Sequence, residues 1–119
     1  MVVLIMGQLS DLGAELNILA RPGFTVGPFE FEWTDENEAI LNISTYVFDS
    51  AVFISRTNQT QVGDFDIAFV TNGTDGKWNM EITPTDSAAI GTGKFFYTVG
   101  ATIGSRRIPV LYGQLELRP

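Results

Sequence analysis

"FEFEWT", residues 29–34, alternates three aromatic side chains with two glutamates and a threonine. Successive side chains of an extended backbone point to opposite faces, so Phe29, Phe31 and Trp33 share one face while Glu30, Glu32 and Thr34 share the other. This is the period of a half-buried strand, not of a helix. It returns along the chain. Phe65, Ile67 and Phe69 alternate with Asp66 and Ala68, and Trp78, Met80 and Ile82 alternate with Asn79 and Glu81. Tyr46–Ile54 is apolar on both faces, as a central strand would be. Phe95–Ile103 and Ile108–Leu117 complete the set.

Turn chemistry punctuates these runs. Pro22 and Gly23 suit two corners of a type II turn, "TNGTDG" (71–76) makes a hairpin loop, and "IGSR" (103–106) makes a tight turn between the last two strands. One helical turn is predicted over "TPTDSAAI" (83–90), with Thr83 as N-cap, Pro84 at the first helical position and Asp86 at capping-box spacing. The expected fold is all-β, a single Ig-like antiparallel β-sandwich of about seven or eight strands with one short helical turn. Phe31, Trp33, Tyr46, Trp78 and Tyr97 are the expected core aromatics. Residues 1–14 read as an N-terminal apolar arm or first strand, and 15–119 as the sandwich domain.

At 119 residues, 45% of them hydrophobic, the chain is long enough for one core and too apolar for a disordered tail. Its net charge is −7 and unevenly spread: residues 1–66 carry ten Asp/Glu against two Lys/Arg, the remainder four against five. Such a balance disfavours nucleic acid as a partner. The absence of Cys and His removes disulfides, thiolate metal sites and the commonest general base. "MVVLIMG" (1–7) lacks a basic leader and its apolar run stops at Met6, so neither a secretion signal nor a membrane span is expected. The tripeptides Asn42-Ile43-Ser44, Asn58-Gln59-Thr60 and Asn72-Gly73-Thr74 therefore read as chance sequons.

The chemical candidates are few. Glu30 and Glu32 lie about 7 Å apart on one strand face, and Asp35, Glu36 and Glu38 crowd the turn that follows. Paired carboxylates can serve a glycosidase or hold a hard cation. An EF-hand register from Asp35 would place Ile40 where Gly is needed and Tyr46 where a bidentate Glu is needed, so a solvated strand face leading into a polar turn is expected instead. Asp64 and Asp66 read as another wet face. Gly91-Thr92-Gly93-Lys94 lacks the spacing of a phosphate loop and precedes a strand. Arg106 and Arg107, adjacent on a strand, point to opposite faces and form no common clamp. With no His and two Lys, little could activate a Ser or Thr nucleophile. No catalytic residue, cofactor site or metal site is expected, and the protein reads as no enzyme.

From Asn17 onward the order of features resembles a known family. "LNILARPGF" precedes the aromatic strand ending at Trp33. Ile43-Ser44-Thr45-Tyr46 introduces a long apolar strand ending "VFISR", and Thr83, Pro84 and Asp86 enter the short helix. "FFYTVG" and "VLYGQLELRP" close the chain. Over roughly residues 15–118 this resembles the N-terminal β-sandwich module of tailed-phage upper baseplate proteins and related tail-fibre attachment proteins. The resemblance implies a non-enzymatic structural virion protein, a baseplate or tail-fibre adaptor that holds neighbouring virion subunits. It is expected in the virion, multimeric, made in the host cytoplasm and not secreted, without membrane or nucleic-acid partners. A capsid decoration or cement protein is the alternative, and a calcium- or carbohydrate-binding module using exposed aromatics and the acidic turn is a further one. Family members often continue into a coiled coil or fibre, whereas this sequence ends at Pro119; together with the unmatched stretch before Asn17, this speaks against a receptor-binding role and leads one to expect an adaptor or a surface-bound virion component.

The stretch before Asn17 has no counterpart in that pattern. Val2, Val3, Leu4, Ile5 and Met6 form an apolar run at a terminus, and each such side chain gains about 1.5–3 kcal/mol on burial. Two readings follow: a first strand of the chain's own sandwich, or a partner-binding arm that adds to a neighbouring subunit's groove or sheet edge.

Overall fold

A computed structural model describes residues 2–6, 13–35 and 37–119. Among them ten strands and one helix follow in chain order. They are β1 (Val2–Met6), β2 (Ala14–Glu15), β3 (Ile18–Ala20), β4 (Val26–Thr34), β5 (Val47–Phe53), β6 (Gln61–Gly63), β7 (Asp66–Phe69), β8 (Lys77–Ile82), α1 (Pro84–Ile90), β9 (Gly93–Ile103) and β10 (Arg106–Leu117). They build two sheets. One has the order β1-β4-β8-β7, the other β2-β10-β9-β5-β6 with β3 also on β10. The all-β sandwich is thus as expected.

The alternating runs sort their side chains as the period requires. Phe31, Trp33, Trp78, Met80, Ile82, Tyr97, Val99 and Leu115 are all buried between the sheets. Phe48 from β5 bridges the layers, stacked on Trp78 at 4.9 Å and edge-on to Phe69 at 6.2 Å, while Phe31 stacks on Trp78 from its own sheet at 4.4 Å. Such pairs add about 0.5–1.5 kcal/mol each beyond the area they bury.

Three expectations need correction. The described residues form ten strands and not seven or eight, because the short pieces β2, β3 and β6 lack enough residues to show a period. The sheets are not wholly antiparallel: β1 runs parallel to β4, and β2 and β3 run parallel to β10. Parallel pairing requires a long crossover, and these pairs join segments far apart in the chain, which local patterning cannot reveal. Tyr46 is half-buried outside the core proper, in the turn before β5, and meets Trp33 edge-on at 5.5 Å.

The turns agree with their chemistry. Thr83 Oγ1 accepts from the Asp86 amide at 3.2 Å and Pro84 opens α1. Ser87, buried in α1, donates through Oγ to the Phe24 carbonyl at 2.8 Å and accepts from the Gly23 amide at 3.0 Å. One hydroxyl thereby fastens the Pro22–Gly23 turn to the helix. β4 breaks register between Val26 and Phe29 around Pro28, a bulge being one of the few places a sheet accepts a proline.

Candidate functional site

Val2–Met6, the sequence-predicted partner segment, forms the edge of the four-stranded sheet. Its register sets Val2 beside Glu30, Leu4 beside Glu32 and Met6 beside Thr34. One side of β1 bonds to β4, and no other described strand lies along its far side. An edge of this kind leaves backbone donors and acceptors available to another strand.

The acidic turn is held by its own residues. Asp35 Oδ1 accepts from the amides of Asn37 at 2.8 Å and Ala39 at 3.0 Å, and the Asp35 amide donates to the Ala39 carbonyl at 2.8 Å. Glu38 takes φ 63°, a left-handed conformation set by this tight return. Glu36 lies outside the described residues. Among the described residues no group of three or more Asp, Glu, His or Cys is placed to hold a metal ion.

Arg107 is engaged within the chain. It reaches across Gly100 to make two contacts with Asp49, Nε to Oδ2 at 3.1 Å and Nη2 to Oδ1. A Cβ at Gly100 would stand 2.7 Å from Nη2, so the glycine keeps the path open. Both partners are largely exposed, which limits the pair to a small contribution.

A second feature escapes sequence reading. The outer face of the six-stranded sheet carries aromatic residues where the half-buried period leads one to expect polar ones. Phe53 and Phe96 are register partners, and Tyr112 pairs with Thr98 in the next outward row. Arg56, from the loop after β5, stacks its guanidinium over Phe96 at 4.8 Å and Tyr112 at 5.7 Å. Beside it opens a groove of about 380 Å³, lined by Glu15, Asn17, Arg56, Lys94, Phe96 and Gln114 among others. The face joins β5, β9 and β10, so only their register assembles it. The one available signal is Phe96 and Tyr112 themselves, large aromatics at outward positions.

Asn17 and Leu16 close this end of the sheet. Asn17 Oδ1 accepts from the Gln114 amide at 2.9 Å, and the buried Tyr97 hydroxyl donates to the Leu16 carbonyl at 2.6 Å. Leu16 passes so close to β10 that a Cβ at Gly113 would fall 2.1 Å from its carbonyl oxygen, so that only glycine fits.

Compared with known proteins, the chain matches no family model and no curated protein.

Proposed function

We propose that this is a non-enzymatic structural protein of a tailed-phage virion, a baseplate or tail-fibre adaptor that joins neighbouring subunits partly through its edge strand β1. The observation that carries the reading is the position of Val2–Met6: a five-residue apolar strand at a sheet edge, with one side bonded to β4. A neighbouring chain can add a strand there, backbone hydrogen bonds supplying affinity. Further support comes from the family-like motifs. The residues that carry the resemblance lie in a turn at Arg21–Phe24, a strand ending near Trp33, a turn at Ile43–Tyr46 before β5 and the Thr83 cap of α1. The capsid decoration reading shares the small acidic sandwich and differs in location.

The test is made in particles of the phage whose genome encodes the chain, comparing the full chain with one lacking residues 1–7. Immunogold label from the full chain is expected at the baseplate or the fibre base. The shortened chain should melt cooperatively, at a somewhat lower temperature because one side of β4 is unpaired, and should be missing from the particles. Label over the capsid would replace the adaptor with the decoration reading. Purified particles without the protein would overturn both, and normal incorporation of the shortened chain would remove β1 from the interface.

A further inference from the structure

The two outer faces of the sandwich differ in charge, the four-stranded sheet being acidic and the six-stranded sheet nearly balanced. On the four-stranded sheet, the positions that alternate with the buried Phe31, Trp33, Trp78, Met80 and Ile82 are Glu30, Glu32, Lys77, Asn79 and Glu81, and Asp66 pairs with Glu81. Lys77 is the single cation among these outward positions. On the six-stranded sheet, Arg56 and Lys94 stand around the groove with Glu15, and Glu116 is the register partner of Lys94. Arg107 is already held by Asp49 and Glu116 by Arg118, whereas Arg56 has no carboxylate partner among the described residues. Its guanidinium carbon lies over Phe96 and Tyr112 at 4.8 and 5.7 Å, and a guanidinium with no carboxylate partner can receive one through two parallel bonds.

We infer that the Arg56 groove receives the acidic outer face of a second copy of this chain, with Glu30 and Glu32 as the carboxylates that meet Arg56 and Lys94. The inference deepens the proposed virion role by naming a partner. It does not use the open backbone edge of β1, although β1 borders the same face through the positions of Val2 and Leu4 beside Glu30 and Glu32. The contact is head-to-tail, since the donor and acceptor surfaces differ, so it repeats into a ring or an open stack. Charge complementarity fixes which faces meet, and Phe96 and Tyr112 supply apolar area beneath the ion pairs. Size permits it as well. The molecule measures 41 × 28 × 21 Å, and a face spanned by its two longer axes can supply the ~800 Å² per partner of a standard interface.

Sedimentation velocity of the full chain over a range of concentrations tests this, at about 0.01 M and about 1 M salt, where screening lengths differ tenfold. Concentration-dependent oligomers are expected at low salt and monomer at high salt. The double variants Arg56→Glu/Lys94→Glu and Glu30→Lys/Glu32→Lys should each be monomeric. An equimolar mixture of the two should associate again, because the intact groove of one meets the intact acidic face of the other. Restored association cannot come from misfolded chains, and circular dichroism checks each variant alone. A parent that stays monomeric at low salt overturns the inference outright. So does a double variant that associates like the parent, or association lost only on removing residues 1–7. These outcomes leave the immunogold location unaffected, so failure here and failure of the virion reading are told apart.

Discussion

Each asparagine of the three Asn-x-Ser/Thr tripeptides folds back on its own chain. Asn42 Oδ1 accepts from the Ser44 amide at 3.0 Å. Asn58 and Asn72 do the same for Thr60 and Thr74, and each also takes the threonine hydroxyl, at 2.8 and 2.7 Å. These are Asx turns, so the tripeptides that read as chance sequons have a local structural role at strand ends. Tyr97 has a farther reach. Burial first, and then the nearby charge of Glu15, hold its pKa well above the usual phenol range. A folded-state pKa above the unfolded value of about 10 means the unfolded chain releases the proton first. The stabilising contribution is therefore complete below about pH 10 and is lost as pH rises toward the folded value, by about 1.4 kcal/mol per unit. Urea midpoints should fall steeply above about pH 10 in the parent. Tyr97→Phe should be weaker at neutral pH by roughly 1 kcal/mol, the net contribution of the bond to the Leu16 carbonyl, and flatter at alkaline pH. Parallel alkaline losses in the two proteins would show that Tyr97 does not set the slope.

At the scale of the element, the turn after β4 separates charge from structure. Asp35 organises it through one oxygen, while the negative charges of Asp35 and Glu38 face water. Asparagine keeps that acceptor and drops the charge. The triple variant Asp35→Asn/Glu36→Gln/Glu38→Gln should therefore unfold in urea within about 0.5 kcal/mol of the parent, exposed charges contributing little. Asp35→Ala, which removes both amide bonds, should cost about 1–2 kcal/mol. Added calcium should leave all of these melts in place. A calcium-dependent gain in the parent that the triple variant lacks would reveal a metal site and revive the calcium-binding reading.

Across the whole molecule, the two sheets are joined by aromatic contacts that converge on Trp78. This ring lies between Phe31 and Phe48 at 4.4 and 4.9 Å, and its indole nitrogen has no hydrogen-bond partner among the described residues. Truncation should be costly and removal of the nitrogen cheap. Trp78→Ala should lose about 3–5 kcal/mol, which in a domain of this size lowers Tm by more than about 10 °C. Trp33→Ala should fall in the same range, and Trp78→Phe should fall well short of it, since it keeps a ring in the stack and leaves no buried donor unpaired. Calorimetry of the three variants decides. Melts of both alanine variants within a degree or two of the parent would mean that these residues are not the core.

What the sequence by itself determined was local: the period-two runs around Phe31, Trp78 and Tyr97, the Thr83 cap, the hairpin at residues 71–76 and the Gly104–Ser105 turn all follow from contacts within a few residues. The terminal apolar run was also visible in it, though not its destination. Only the tertiary structure decided that Val2–Met6 lies parallel to β4, that β2 and β3 flank β10, and that Arg56 rests on Phe96 and Tyr112. Each of these joins residues separated by tens of positions. Their placement depends on the register and stacking of whole sheets, and a side-chain period carries no record of which strands will meet.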